Sequence, residues 1–233
     1  MIELNRIIYK DCMNEENGLP TLEDNSIDIV FFDPPYNANK NYGIYKDNLP
    51  EKEYLSLMQQ ITNQCLRISK RGIGVYVDSY RLEIWWKFIF RNAYPIIIWK
   101  RSPGFSNKQK IYSSYHAILT NIIANKNIPG LWHDLHPVSD GIYWRLTKDY
   151  VSDDHPAQTS YEIVARFIQS FSYEGDTILD PFMGTGTTAE ACIKNNLKWL
   201  GFELNEPYSQ YIEERLKNCK KEPQQIDLKN YII

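Results

Sequence analysis

Short apolar runs separated by amphipathic stretches set the pattern of this chain. Arg6–Tyr9, Ile27–Phe32, Ile73–Val77, Tyr94–Trp99, part of Tyr115–Ala124, Thr177–Leu179 and Trp199–Glu203 read as strands. Glu51–Ser69 reads as a helix, with Tyr54, Leu55, Met58, Ile61, Cys65 and Leu66 on one face. Further helices are expected over Ser79–Arg91, Ser160–Phe171, Thr187–Asn195 and from Asn205 to about Lys217, the last with Pro207 in its first turn. Thr159-x-x-Glu162 looks like a capping box opening the second of these. Strands alternating with helices imply an α/β domain, its sheet mostly parallel and covered by helices on both faces. Residues 1–233 suit a single domain, with an irregular insertion at about 100–150. Residues 37–50 form a polar loop long enough to act as a lid.

Several strands end in an acid. Ile29-Val30-Phe31-Phe32 runs directly into Asp33-Pro34-Pro35-Tyr36. Prolines cannot continue a ladder, so this motif closes its strand and stiffens the turn. It offers a carboxylate, backbone carbonyls and an aromatic face, a set suited to a planar aromatic amine. Ile178-Leu179 runs into Asp180-Pro181-Phe182-Met183-Gly184-Thr185-Gly186-Thr187, a glycine-rich turn before a helix. Such a turn lets backbone pass close to a ligand, and the helix start offers free N–H groups to an anionic group. Glu203 ends the next strand, seventeen residues past Gly186, where a carboxylate can accept ribose hydroxyls. With Asp11, these acids can ring one crevice outside the carboxyl ends of the strands. The alternative for each is an ordinary acid closing a turn. The third glycine of a dinucleotide fingerprint is missing, and no GxxxxGK[ST] run exists.

Charge changes the picture more than composition does. The net charge is −3, yet between Glu83 and Asp134 there is no acid and seven Lys or Arg, which leaves −10 on the rest. Such a segment suits phosphates, and Lys100, Arg101, Lys108 and Lys110 are its candidate phosphate contacts. The four cysteines, Cys12, Cys65, Cys192 and Cys219, form no CxxC and suit reduced thiols in a cytoplasmic protein. His133-x-x-His136 with Asp134 reads as loop rather than as a metal site, and no metal is expected. No run of ~18 apolar residues predicts a membrane helix, and the first residues do not resemble a signal peptide. Trp85-Trp86 and Phe88–Phe90 read as core.

Together the two motifs resemble those of the β subgroup of DNA amino-methyltransferases, which use S-adenosylmethionine. The motif at Asp33–Tyr36 precedes the one at Asp180–Gly186, the circularly permuted order of that subgroup. Lys10-Asp11-Cys12, His155-Pro156-Ala157-Gln158 and Gly201-Phe202-Glu203-Leu204 match further family segments. The resemblance implies a seven-stranded Rossmann-like methyltransferase sheet and methylation of adenine N6 in flipped-out DNA bases. It implies catalytic roles for Asp33, Pro34, Pro35 and Tyr36. It implies cofactor contacts at Asp11, Cys12, His155, Asp180, Phe182, Gly184, Gly186, Thr187 and Glu203. Two departures stand out. Thr159-Ser160 replaces the usual Lys-Pro, and the variable region is short, which suggests a homodimer or another partner for sequence recognition. A cognate restriction endonuclease and a prokaryotic or phage source belong to the same expectation. The alternatives are a cytosine-N4 enzyme, a degenerate DNA-binding module and an RNA or protein methyltransferase.

Overall fold

All four residues of Ile29–Phe32 are buried, because both faces of their strand are covered. Ile29 and Phe31 point into one core, and Val30 and Phe32 into the other. A computed structural model describes residues 3–78, 80–99, 115–124, 131–132 and 158–219. The strands are β1 (Arg6–Ile8), β2 (Ile29–Phe32), β3 (Asn41–Tyr42), β4 (Tyr45–Lys46), β5 (Ile73–Asp78), β6 (Tyr94–Trp99), β7 (Tyr115–Thr120), β8 (Leu131–Trp132), β9 (Thr177–Asp180) and β10 (Lys198–Phe202). The helices are α1 (Glu51–Ile68), α2 (Leu82–Ile84), α3 (Tyr161–Phe171), α4 (Thr187–Lys194) and α5 (Ser209–Cys219).

The main sheet runs β1-β10-β9-β2-β5-β7-β6-β8. β1, β10, β9, β2 and β5 are mutually parallel, and β7 is antiparallel to both β5 and β6. Seven strands match the expected fold, and two-residue β8 adds an edge beside β6. One face packs on α1 and Trp85, the other on α3 and α4. From β9 the chain passes through α4 to β10; from β2 it passes through α1 to β5, on the opposite side. β9 and β2 are therefore neighbours at the point where the winding reverses, and a crevice opens beyond their carboxyl ends.

Four expectations are corrected. The helix expected over Ser79–Arg91 is only α2 followed by a π turn, Trp85–Ile89. The wider turn puts Trp85, Ile89 and Phe90 together in the core, and the Phe90 N–H donates to the Trp85 carbonyl. Trp86 and Phe88 point out instead, 40% and 56% exposed, so this aromatic run is only partly core. The capping box does not form: Ser160 is the N-cap of α3 and makes no side-chain cap bond. The final helix begins with a 3-10 turn, Glu206–Tyr208, before α5.

Candidate active site

Asp11, Asp33, Asp180 and Glu203 border one solvent-connected cavity. Pro34, Pro35, Tyr36, Cys12, Phe182, Gly184 and Thr187 line it as well. The two motifs, far apart in sequence, thus meet at the β2–β9 switch point. Of the other expected site residues, Gly186 sits at the N-cap of α4, while His155, Lys100, Arg101, Lys108 and Lys110 lie outside the described residues, as do His133 and His136.

The catalytic-side turn is held by hydroxyls. Tyr36 Oη bonds to Asp33 Oδ1 and lies 2.9 Å from the Tyr76 carbonyl. One hydroxyl carries one proton, so it serves either acceptor in turn. Thr159 Oγ1 donates to Asp33 Oδ2 at 2.6 Å. The Tyr54 hydroxyl, from α1, donates to the Pro35 carbonyl at 3.1 Å. Asp33 is half-buried, which leaves its carboxylate open to the cavity.

The glycine turn is held mainly by backbone. Glu203 Oε2 accepts the Gly184 N–H at 2.8 Å, and Oε1 accepts the Asn205 N–H at 2.7 Å. Asp180 accepts the Phe182 N–H at 2.9 Å and the Thr188 hydroxyl at 2.5 Å. Gly184 and Gly186 both take the left-handed region, at φ +54° and +83°, which side chains disfavour. Burial pushes the Asp180 carboxyl up to about 7, helped by the Glu203 charge and opposed by its hydrogen bonds. Burial likewise pushes Glu203 up to about 7 against three backbone amides. Asp11 is exposed and closes its own turn by accepting the Met13 N–H at 2.8 Å. Burial raises the Cys12 thiol strongly, so it stays protonated and apolar in character. All four cysteines are buried free thiols.

The loop after Tyr36 is a built element. Asp47 is buried and its carboxylate accepts the N–H groups of Asn37, Ala38 and Lys40 at 2.8, 2.9 and 3.0 Å. β3 and β4 form a hairpin whose turn, at Gly43, lies against the Asn205 side chain. Tyr42 and Tyr45 flank that turn and line the cavity, and burial raises both phenols, Tyr45 to about 12. Sequence patterning does not single these residues out, because the segment is merely polar. The signal it does contain is two tyrosines three apart around a glycine, with asparagines able to take left-handed turns on either side.

A profile of the N6/N4 methyltransferase family, described as DNA methylase, matches residues 107–214. The type II methyltransferase M.HpaI of Haemophilus parainfluenzae is 28% identical, over 88% of this chain and 73% of its own length. The DNA adenine methyltransferase YhdJ of Escherichia coli K12 is 25% identical, over 94% of this chain and 88% of its own. Among solved structures, TTHA0409 of Thermus thermophilus complexed with S-adenosyl-L-methionine superposes with a TM-score of 0.66, at 19% identity, over 93% of this chain and 96% of that one. This chain is similar to the N6/N4 DNA methyltransferases. The cofactor of that likeness is S-adenosylmethionine.

The site suits such a cofactor on its own evidence. Each Glu203 oxygen accepts a backbone amide and keeps a lone pair for a hydroxyl, as a ribose diol requires. Phe182 offers an aromatic wall, and the start of α4 presents unsatisfied N–H groups beside Thr187. Thr187 Oγ1 also donates to the Thr159 carbonyl at 3.2 Å, joining this helix to the segment before α3. Asp180 is turned inward and braces the turn through Thr188. Among the described residues no helix is long and apolar enough to cross a membrane.

Proposed function

We propose that this chain methylates an exocyclic amine of a base in DNA, with adenine N6 as the target. The observation that carries the reading is the shared cavity: Asp33 and Tyr36 on one wall, Gly184 and Glu203 on another. When bound, S-adenosylmethionine supplies an electrophilic methyl group on a sulfonium centre. Glu203 and Asp11 are suited to its polar edges, Phe182 and Cys12 to its planar ring, and Gly184, Gly186 and Thr187 to the turn around it.

The rest of the chemistry belongs to the chain. An aromatic amine shares its lone pair with the ring and is a weak nucleophile. Asp33 and the Pro34 carbonyl can accept its two N–H bonds, drawing the nitrogen toward a tetrahedral shape. The prolines fix these acceptors before the base arrives, so little reorganisation is needed. Tyr36 can stack on a base rotated out of the duplex, which offsets lost stacking. Asp33 then holds the proton shed by the methylated amine. Most of the acceleration comes from placement.

Asp at the first motif position favours adenine, and the likeness to a DNA adenine methyltransferase supports that choice. The family description covers both amines, so cytosine N4 is the second reading. The basic segment, with Lys100, Arg101, Lys108 and Lys110, is the candidate phosphate contact. Neutralising those four should flatten the salt dependence of DNA binding, its slope falling by roughly 0.9 for each phosphate no longer held. A short variable region fits action as a homodimer, and bacterial relatives fit a cytoplasmic enzyme working beside a cognate endonuclease.

The deciding experiment incubates the purified chain with methyl-labelled S-adenosylmethionine and DNA, then separates the nucleosides. Label in N6-methyladenine is expected. Label in N4-methylcytosine selects the second reading. Label that goes only to RNA or protein, or to nothing, rejects both.

A further inference from the structure

Asp33 is gripped from a distance. Its Oδ2 accepts the hydroxyl of Thr159, 126 residues further along the chain, at 2.6 Å. The Thr159 carbonyl accepts Thr187 Oγ1 at 3.2 Å, and Thr187 opens α4 directly after Gly186. A single residue therefore ties the carboxylate of one loop, through its side chain, to the helix start of the other, through its backbone. Thr159 is not the N-cap of α3, a position held by Ser160, so its hydroxyl is not committed to that helix.

The two oxygens of Asp33 are held differently. The donor on Oδ1, Tyr36, has a second acceptor 2.9 Å away at the Tyr76 carbonyl. It can turn its proton there and still donate a hydrogen bond. We propose that Thr159 is a positioning residue for Asp33: its hydroxyl clamps Oδ2 and so sets how the carboxylate faces the substrate amine. The proposal rests on the amine-methylation reading above.

The test compares wild type with Thr159→Val, which keeps shape and removes the donor, Thr159→Ala, and Thr159→Ser, which restores the donor. Single-turnover methylation of DNA is followed beside thermal melting and the Kd for S-adenosylhomocysteine. Thr159→Val and Thr159→Ala should lose about ten- to a hundredfold in rate at neutral pH. The Kd for S-adenosylhomocysteine should stay within about twofold of wild type, and Thr159→Ser should recover the rate. Should Thr159→Val misfold, Thr159→Ala and Thr159→Ser carry the comparison. A failure of Thr159→Ser to recover, or a rate loss matched by an equal loss of S-adenosylhomocysteine binding, overturns the clamp. A wild-type protein that does not methylate DNA overturns the underlying reading instead.

Discussion

Asp33 follows β2 and Asp180 ends β9, on neighbouring strands that open into the same cavity. The first is half-buried and accepts the hydroxyls of Tyr36 and Thr159. The second is buried and accepts the Phe182 amide and the Thr188 hydroxyl. Glu203 beside it takes the amides of Gly184 and Asn205. The Tyr36 hydroxyl can turn to the Tyr76 carbonyl, so a substrate amine can take its place on Asp33 while Thr159 holds on. Backbone amides cannot leave without breaking the turn. One wall of the cavity is thus built to exchange partners and the other to keep its shape.

The sharpest way to break this contrast is Asp33→Ala. Methyl transfer should fall by at least ~10³-fold, while S-adenosylhomocysteine binding, measured calorimetrically, stays near wild type. Loss of both together would mean that the walls are one rigid unit.

Gly186→Val attacks the shape-keeping wall. Gly186 sits at φ +83°, and a Cβ there would lie 3.1 Å from Ile212 of α5. A β-branched residue should cost about 2–4 kcal/mol of stability, read by denaturant melts. It should also remove S-adenosylhomocysteine binding. A variant that melts like wild type would show that the turn can adopt another path.

Much of this wall is legible along the chain, because short contiguous runs carry it. A buried strand, a double-glycine turn and an acid at the next strand end announce themselves by local pattern. The exchange wall is less legible. Asp33-Pro34-Pro35-Tyr36 is conspicuous, but the Thr159 clamp joins residues 126 positions apart. Local spacing points Thr159 to a helix cap, and the tertiary contact wins. Asp47 is hidden for the same reason: a buried carboxylate gathering three amides looks, in sequence, like one more polar loop residue. The π turn is invisible to a periodicity of 3.6 residues per turn, and only the pull of Trp85, Ile89 and Phe90 into one core widens it.

A smaller effect is expected from pH. Glu203 is pushed up to about 7 by burial, so much of it is protonated at slightly acid pH. Ribose hydroxyls favour its ionised form. Affinity for S-adenosylhomocysteine should therefore rise as pH climbs toward 7, by at most about tenfold per unit, and level off above. Glu203→Gln should flatten that slope. Stability of the unliganded protein should move the opposite way. The folded state keeps protons on Asp180 and Glu203 that the unfolded chain sheds near pH 4, so their contribution declines from about pH 4 to about 7 and is then constant. Thermal melts at pH 5.5 and 8 read the second trend, and calorimetry reads the first.

The mildest probe is Tyr54→Phe, which removes the hydroxyl that donates to the Pro35 carbonyl at 3.1 Å. Tyr54 is fully buried in α1, so the ring remains packed while the hydroxyl is lost. The cost should be about 0.5–1.5 kcal/mol of stability. Its effect on catalysis separates two accounts of the exchange wall. If the prolines alone stiffen the turn, the single-turnover rate stays within about twofold of wild type, because φ at Pro34 and Pro35 is fixed covalently. If hydroxyls from outside the turn are needed to hold it, the rate falls in step with the stability loss, and the Asp33 wall depends on borrowed donors at both its carboxylate and its backbone.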